Sequence, residues 1–152
     1  MGVLATKKAV AQLQKIFDFL GEYGGVIETN NPENWWTLDL EVESVEDSTK
    51  SVQIGIYTLK NGDATFDPLF HLILTMDKDK ITSATIIDCE ELSFQGVARV
   101  GEDDIIRGPG FQEKDQYGLS TRFSNFMDNM TNNGPYLTNP KSVKHYNKTL
   151  AD

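Results

Sequence analysis

Cysteine is nearly missing from this chain. Cys89 is the one thiol in 152 residues, so no intrachain disulfide can form. That suits a reducing compartment, and a cytoplasmic protein is expected. No apolar run approaches the ~18 residues of a membrane span. Residues 1–10 place their lysines after a very short apolar run, the wrong order for a signal peptide. Positive charge is also scarce: 14 Lys and Arg stand against 23 Asp and Glu, a net charge of −9. Nucleic acids and anionic membranes are bound through Lys/Arg surfaces, so neither is an expected partner.

The usual catalytic constellations are missing too. There is no G-x-S-x-G elbow, no H-E-x-x-H helix and no paired C-x-x-C. Gly108-Pro109-Gly110 begins like a dinucleotide fingerprint, but Glu113 takes the third glycine position. Cys89 is flanked by Asp88, Glu90 and Glu91, which disfavour a thiolate. Asp77 and Asp79 have calcium-loop spacing without the downstream glycine and glutamate. Glu102, Asp103 and Asp104 read as a solvated turn. No cofactor, metal or catalytic residue is assigned.

What is present describes one α+β domain over residues 1–135, followed by a polar tail over 136–152, expected to be mobile or laid over the surface. Thr6 reads as the N-cap of a helix whose apolar stripe is Ala9, Leu13, Ile16, Phe17 and Leu20, with Leu4 and Phe19 broadening it. Gly24-Gly25 supplies its stop. From Trp35 the apolar period becomes two, the pattern of a half-buried antiparallel strand. Leu38, Leu40 and Val42 alternate with Asp39, Glu41 and Glu43, and Val52, Ile54 and Ile56 repeat the pattern. Asn61-Gly62-Asp63 signals a tight hairpin. Phe70, Leu72, Leu74 and Met76 mark a strand over 66–76, with Pro68 at its start or on an edge. Two more strands are expected over 81–88 and 92–100, then a long loop over 101–118. A second helix follows from a Ser120 cap to about Asn132, with Leu119, Phe123, Phe126, Met127 and Met130 as its stripe. The expectation is an antiparallel meander of about five strands flanked by an N-terminal and a C-terminal helix.

Gln53-Ile54-Gly55-Ile56-Tyr57, Asn61-Gly62-Asp63 and Asp67-Pro68 resemble a family of small uncharacterised proteins of Gram-positive bacteria and their plasmids, phages and conjugative elements. In that family a helix and a Trp-containing strand precede the Asn-Gly-Asp…Asp-Pro hairpin. Ala64-Thr65-Phe66 and Leu69 depart from its pattern. The resemblance implies a bacterial or mobile-element setting and no activity, cofactor or site residue.

Two surfaces stand out as candidate sites. Asp39, Glu41 and Glu43 project from one strand face ~6.6 Å apart, a ladder that could present phosphate-like charge to a basic protein. Trp35, Tyr57 and Leu59, with Leu69 and Ile73, make the same side too apolar to be left bare. The first reading is therefore a non-enzymatic acidic protein-binding module, a regulator or inhibitor that mimics DNA. A small-ligand protein or enzyme built on Asp67, His71 and the 101–118 loop is the alternative. Asp67 and His71 lie ~13 Å apart along a strand, too far for a couple. A structural homodimer is the third reading.

Overall fold

The computed structural model describes residues 2–91, 96–100, 106–107 and 118–151. The loop expected over 101–118 lies largely outside them. In chain order the elements are β1 (Val3–Leu4), α1 (Lys7–Leu20), β2 (Gly24–Thr29), β3 (Thr37–Glu46), β4 (Thr49–Lys60), β5 (Asp63–Asp77), β6 (Lys80–Glu91), β7 (Gly96–Val100), β8 (Ile106–Arg107), α2 (Gly118–Asp128) and β9 (Pro140–His145). The strands form one antiparallel sheet in the order β8-β7-β6-β5-β4-β3-β2-β9, with β1 paired to β6. The fold is α+β, as the alternation implies, but its sheet has nine described strands where about five were expected.

Both helices pack on one face of the sheet. Thr6 caps α1 by accepting a hydrogen bond from the Ala9 amide at 3.1 Å. Ala9, Leu13, Ile16, Phe17 and Leu20 are buried as their spacing requires. Beneath them lie Leu38, Leu40, Val52, Ile54, Phe70, Leu72 and Leu74, each almost wholly excluded from solvent. Phe123 and Phe126 of α2 reach the same layer and meet the Phe70 ring at centroid distances of 5.1 and 5.4 Å. The Thr6 and Ser124 hydroxyls, 3.1 Å apart, and the Gln12–Asp128 hydrogen bond join the two helices. Leu4 and Phe19 do not broaden the buried stripe; they are exposed. Ser120 is not a cap either. It lies within α2 and donates to the Leu4 carbonyl at 3.2 Å. The helix closes in a π turn over Asn129–Asn133.

Asn61 and Gly62 both take positive φ, 53° and 85°, as the tight β4–β5 hairpin requires. β5 begins earlier than expected, at Asp63. Pro68 is therefore inside a central strand, after a cis Asp67–Pro68 bond. It is tolerated because the register breaks there: Phe66 pairs with Tyr57 and Leu69 with Gly55, leaving Asp67 and Pro68 opposite Ile56.

Four strands escaped the periodicity: the two-residue β1 and β8, and the longer β2 and β9. The helix stop is Gly21, whose φ is 102° and whose amide bonds the Phe17 carbonyl at 2.7 Å. Gly24 and Gly25 instead open β2, squeezed between neighbours: a Cβ would stand 2.0 Å from the Leu40 carbonyl at Gly24 and 2.1 Å from that of Lys144 at Gly25. The partner of β2 on its other side is β9, which lies in the supposed tail. Residues 136–151 are thus part of the fold. Tyr136 is fully buried and donates its hydroxyl to the Trp36 carbonyl. Beyond β9 the chain bonds β3 directly, through the Leu150 amide to Val42 and the Ala151 amide to Glu43.

This integration is measurable by urea unfolding. Tyr136→Ala should cost about 3–5 kcal/mol, as aromatic truncations in cores do, and Tyr136→Phe about 1 kcal/mol for one lost hydrogen bond. Unchanged midpoints for both variants would mean that the segment is only laid over the domain.

Candidate functional site

Because the helices cover one face, the other is open to the C-terminal segment and to solvent. Antiparallel register builds a polar row across it. Glu41 of β3 lies opposite Gln53 of β4, Gln53 opposite His71 of β5, and His71 opposite Asp88 of β6. In backbone register Arg99 and then Arg107 continue the same row.

The side chains of this row hold one another. His71 Nδ1 is hydrogen-bonded to the Asp88 carboxylate. Its Nε2 faces Gln53 Oε1 at 3.2 Å and Glu43 Oε1 at 3.6 Å. Glu43 can reach inward because it sits at a bulge, between the paired positions Val42 and Ser44. Gln53 Nε2 in turn donates to Glu41 Oε2 at 2.6 Å. The Tyr146 hydroxyl closes the row from the C-terminal segment, donating to Asp39 Oδ1 at 2.7 Å and lying 3.3 Å from Glu41 Oε1.

Asp39 is the exception to the acidic ladder. Its carboxylate is buried, 3% exposed, while Glu41 and Glu43 are half-buried. Gly55 is opposite Asp39 in register, and the Leu69 side chain lies close against Gly55. Burial pushes the Asp39 carboxyl up to about 7; Tyr146 opposes the shift and the Glu41 charge adds to it. The Tyr146 hydroxyl is pushed far up by burial and by Asp39. The Asp88 hydrogen bond raises His71 above its ordinary value against the opposing effect of burial, with help from Glu43 and Glu90.

The hydrogen bonds limit what His71 can do chemically. Both His71 nitrogens face acceptors, a geometry that favours the protonated, donating ring over one with a free lone pair for a base. Among the described residues no group of His, Cys, Asp or Glu is disposed to hold a metal. No described helix is long and apolar enough to cross a membrane. Cys89 is buried.

The other expected site residues are divided. Tyr57 stays on the open face against Phe66, rings 5.1 Å apart, and its hydroxyl is raised by burial and by Asp39, Glu28 and Glu41. Leu59 is 65% exposed near the hairpin tip, and Ile73 is also exposed. Trp35 does not join them: it packs against the core, edge-on to Tyr136 at 6.1 Å. His71 finds its carboxylate on the next strand, at Asp88, rather than at Asp67, which sits at the register break. Gln53, Asp88 and Tyr146 were missed. The first two follow from pairing the strands in register, whereas Tyr146 depends on a contact across more than a hundred residues. No family model, curated protein or solved structure matches the chain.

The two raised pKa values give stability a direction with pH. The folded state holds the Asp39 proton more tightly than the unfolded chain, whose value is near 3.8, so this contribution is complete below that value and lost as pH climbs to about 7. The His71 contribution is complete below 6.5 and lost as pH rises through its elevated folded value. Urea unfolding between pH 4 and 9 should show Asp39→Asn recovering on the order of 2 kcal/mol relative to wild type above pH 7. Parallel profiles for the two proteins would refute a buried, proton-holding Asp39.

Proposed function

We propose that this protein is a non-catalytic binding module that offers the open face of its sheet to a cationic partner protein, in a regulatory or inhibitory role. The observation that carries the reading is the fixed row Glu41–Gln53–His71–Asp88, with Glu43 beside it. Carboxylates already held in place lose less conformational freedom on binding than free surface acids. Exposed Ile73, two residues along β5 from His71, adds apolar area beside the charge, as interfaces require. DNA mimicry is the weaker form of this reading, since burial withdraws Asp39 from the three-rung ladder. A bacterial mobile-element setting rests on the resemblance around Asn61-Gly62-Asp63 alone.

The enzyme alternative is favoured by one observation, the His71–Asp88 hydrogen bond, which orients an imidazole as a catalytic dyad does. The acceptors at Nε2 argue against it, as does the lack of a nucleophile within that hydrogen-bonded row. A homodimer through this face would set like charges against each other.

A partner recovered from the host by affinity capture allows the test. Glu41→Gln with Glu43→Gln should weaken binding about tenfold at low ionic strength and flatten its salt dependence. Unfolding midpoints near wild type would show that the sheet is intact. Equal affinity with an unchanged salt slope would exclude the acidic row as the binding surface. In the same assays His71→Gln should alter stability modestly and leave biological activity largely in place. Abolished activity at an unchanged melting temperature would favour the enzyme.

A further inference from the structure

On the helix side of the sheet, away from the polar row, a groove of about 570 Å³ lies between the start of α1 and the start of β6. It exists because β1 is only two residues long. β1 pairs with β6 at Thr85 and Ile86, and the Ala5 amide adds one bond to the Ala84 carbonyl. Among the described residues no strand continues this pairing beside Ile81–Ser83. Leu4, Val10, Ala11 and Ile81 give the groove its aliphatic lining, and Leu4 is 65% exposed.

Gln14 and Thr82, two of the polar residues along the groove, already have hydrogen-bond partners. Gln14 Oε1 accepts the Ile81 amide at 2.7 Å, and Gln14 Nε2 donates to Asp18 and to the Asp79 carbonyl at 2.9 and 3.1 Å. The Thr82 hydroxyl donates to the Thr75 carbonyl at 3.1 Å. The charged lining residues are Lys7 and Lys80, and neither forms an ion pair among the described residues. Asp18 and Asp79 line a separate cleft beyond Gln14. A chain of net charge −9 thus places two unpaired ammonium groups beside exposed aliphatic surface.

We propose that this groove binds an amphiphilic carboxylate of medium chain length. The alkyl chain lies on Leu4, Val10, Ala11 and Ile81, and the carboxylate meets Lys7 or Lys80. The volume falls in the range of small-molecule sites. An extended peptide is the competing occupant, because it could prolong the pairing of β1. The Gln14 side chain opposes that mode by taking the Ile81 amide, whereas an alkyl chain asks for no hydrogen bond.

The test is a methyl and amide NMR titration of the full chain with hexanoate, octanoate and decanoate, each below its aggregation threshold. Saturable shifts should centre on the Leu4, Val10 and Ile81 methyls. Affinity should rise by up to about fourfold per added methylene. Lys7→Gln and Lys80→Gln should each weaken decanoate about two- to fivefold at low salt, and decanol should bind less well than decanoate. Ala11→Trp, at an exposed helix position, should fill the groove and abolish the shifts while leaving the unfolding midpoint near wild type. The proposal is overturned by an absence of saturable shifts, by shifts centred elsewhere, or by equal binding of decanol and decanoate. Shifts at the Thr82 and Ser83 amides with a short apolar peptide, and none with decanoate, would assign the groove to a peptide instead.

Discussion

Both helices bury their apolar stripes against the same face of the sheet, and the rest of the molecule is arranged around that one-sidedness. Leu38, Ile54 and Leu72 point toward α1 and α2 because β-strand side chains alternate with a period of two. The intervening residues Asp39, Gln53 and His71 are thereby sent to the opposite face. A slip of one residue in any pair would carry carboxylates under the helices and leucines into water. The hydrophobic register therefore fixes the polar register as well. Glu41, Gln53, His71 and Asp88 fall in line because their apolar neighbours had no other place to go.

An acidic surface organised in this way needs internal donors. Around the row the strands supply Glu41, Glu43, Asp88 and Glu90, and the donors set among them are Gln53, His71 and Tyr146. Neighbouring carboxylates favour proton binding at two groups here, His71 and Asp39. The Asp88 hydrogen bond and the Glu43 and Glu90 charges raise the proton affinity of His71. Asp39 responds in the same sense, since burial beneath the C-terminal segment makes its charged form costly. Glu46 and Asp47, on the neighbouring turn, are exposed to solvent instead.

How far this could be read from sequence follows the range of the interactions. Thr6, the stripe of α1, the Asn61-Gly62 turn and the alternation of β3, β4 and β5 are local, and each appears in the fold as its residues imply. Two glycines lead Gly24–Thr29 and read as a helix stop, and Pro140–His145 reads as tail because Val143 is its only aliphatic residue. Neither segment carries a strand signal alone. They become strands by pairing with each other across a separation of more than a hundred residues. Edge position explains the composition of β9: one side bonds β2, and exposed Lys141 and Lys144 guard a strand with no further neighbour among the described residues.

The same long-range pairing decides the character of the candidate site. Without β9 and the segment after it, Asp39 would be the first rung of a solvated ladder, as its alternation with Leu38 and Leu40 suggests. Tyr146 changes that by laying a phenol over the end of the row, where its single proton is shared between Asp39 and Glu41. The backbone bonds from Tyr146 to Gly24, Leu150 to Val42 and Ala151 to Glu43 hold the phenol there. What reads locally as three equivalent acids becomes one buried group that titrates near neutrality and two half-buried carboxylates with fixed directions. In the proposed binding role, a partner would meet Glu41 and Glu43 already oriented by Gln53 and His71, and its cations would have to fit that geometry. Selectivity for the spacing of positive charge, beyond attraction to any basic surface, would follow from that role.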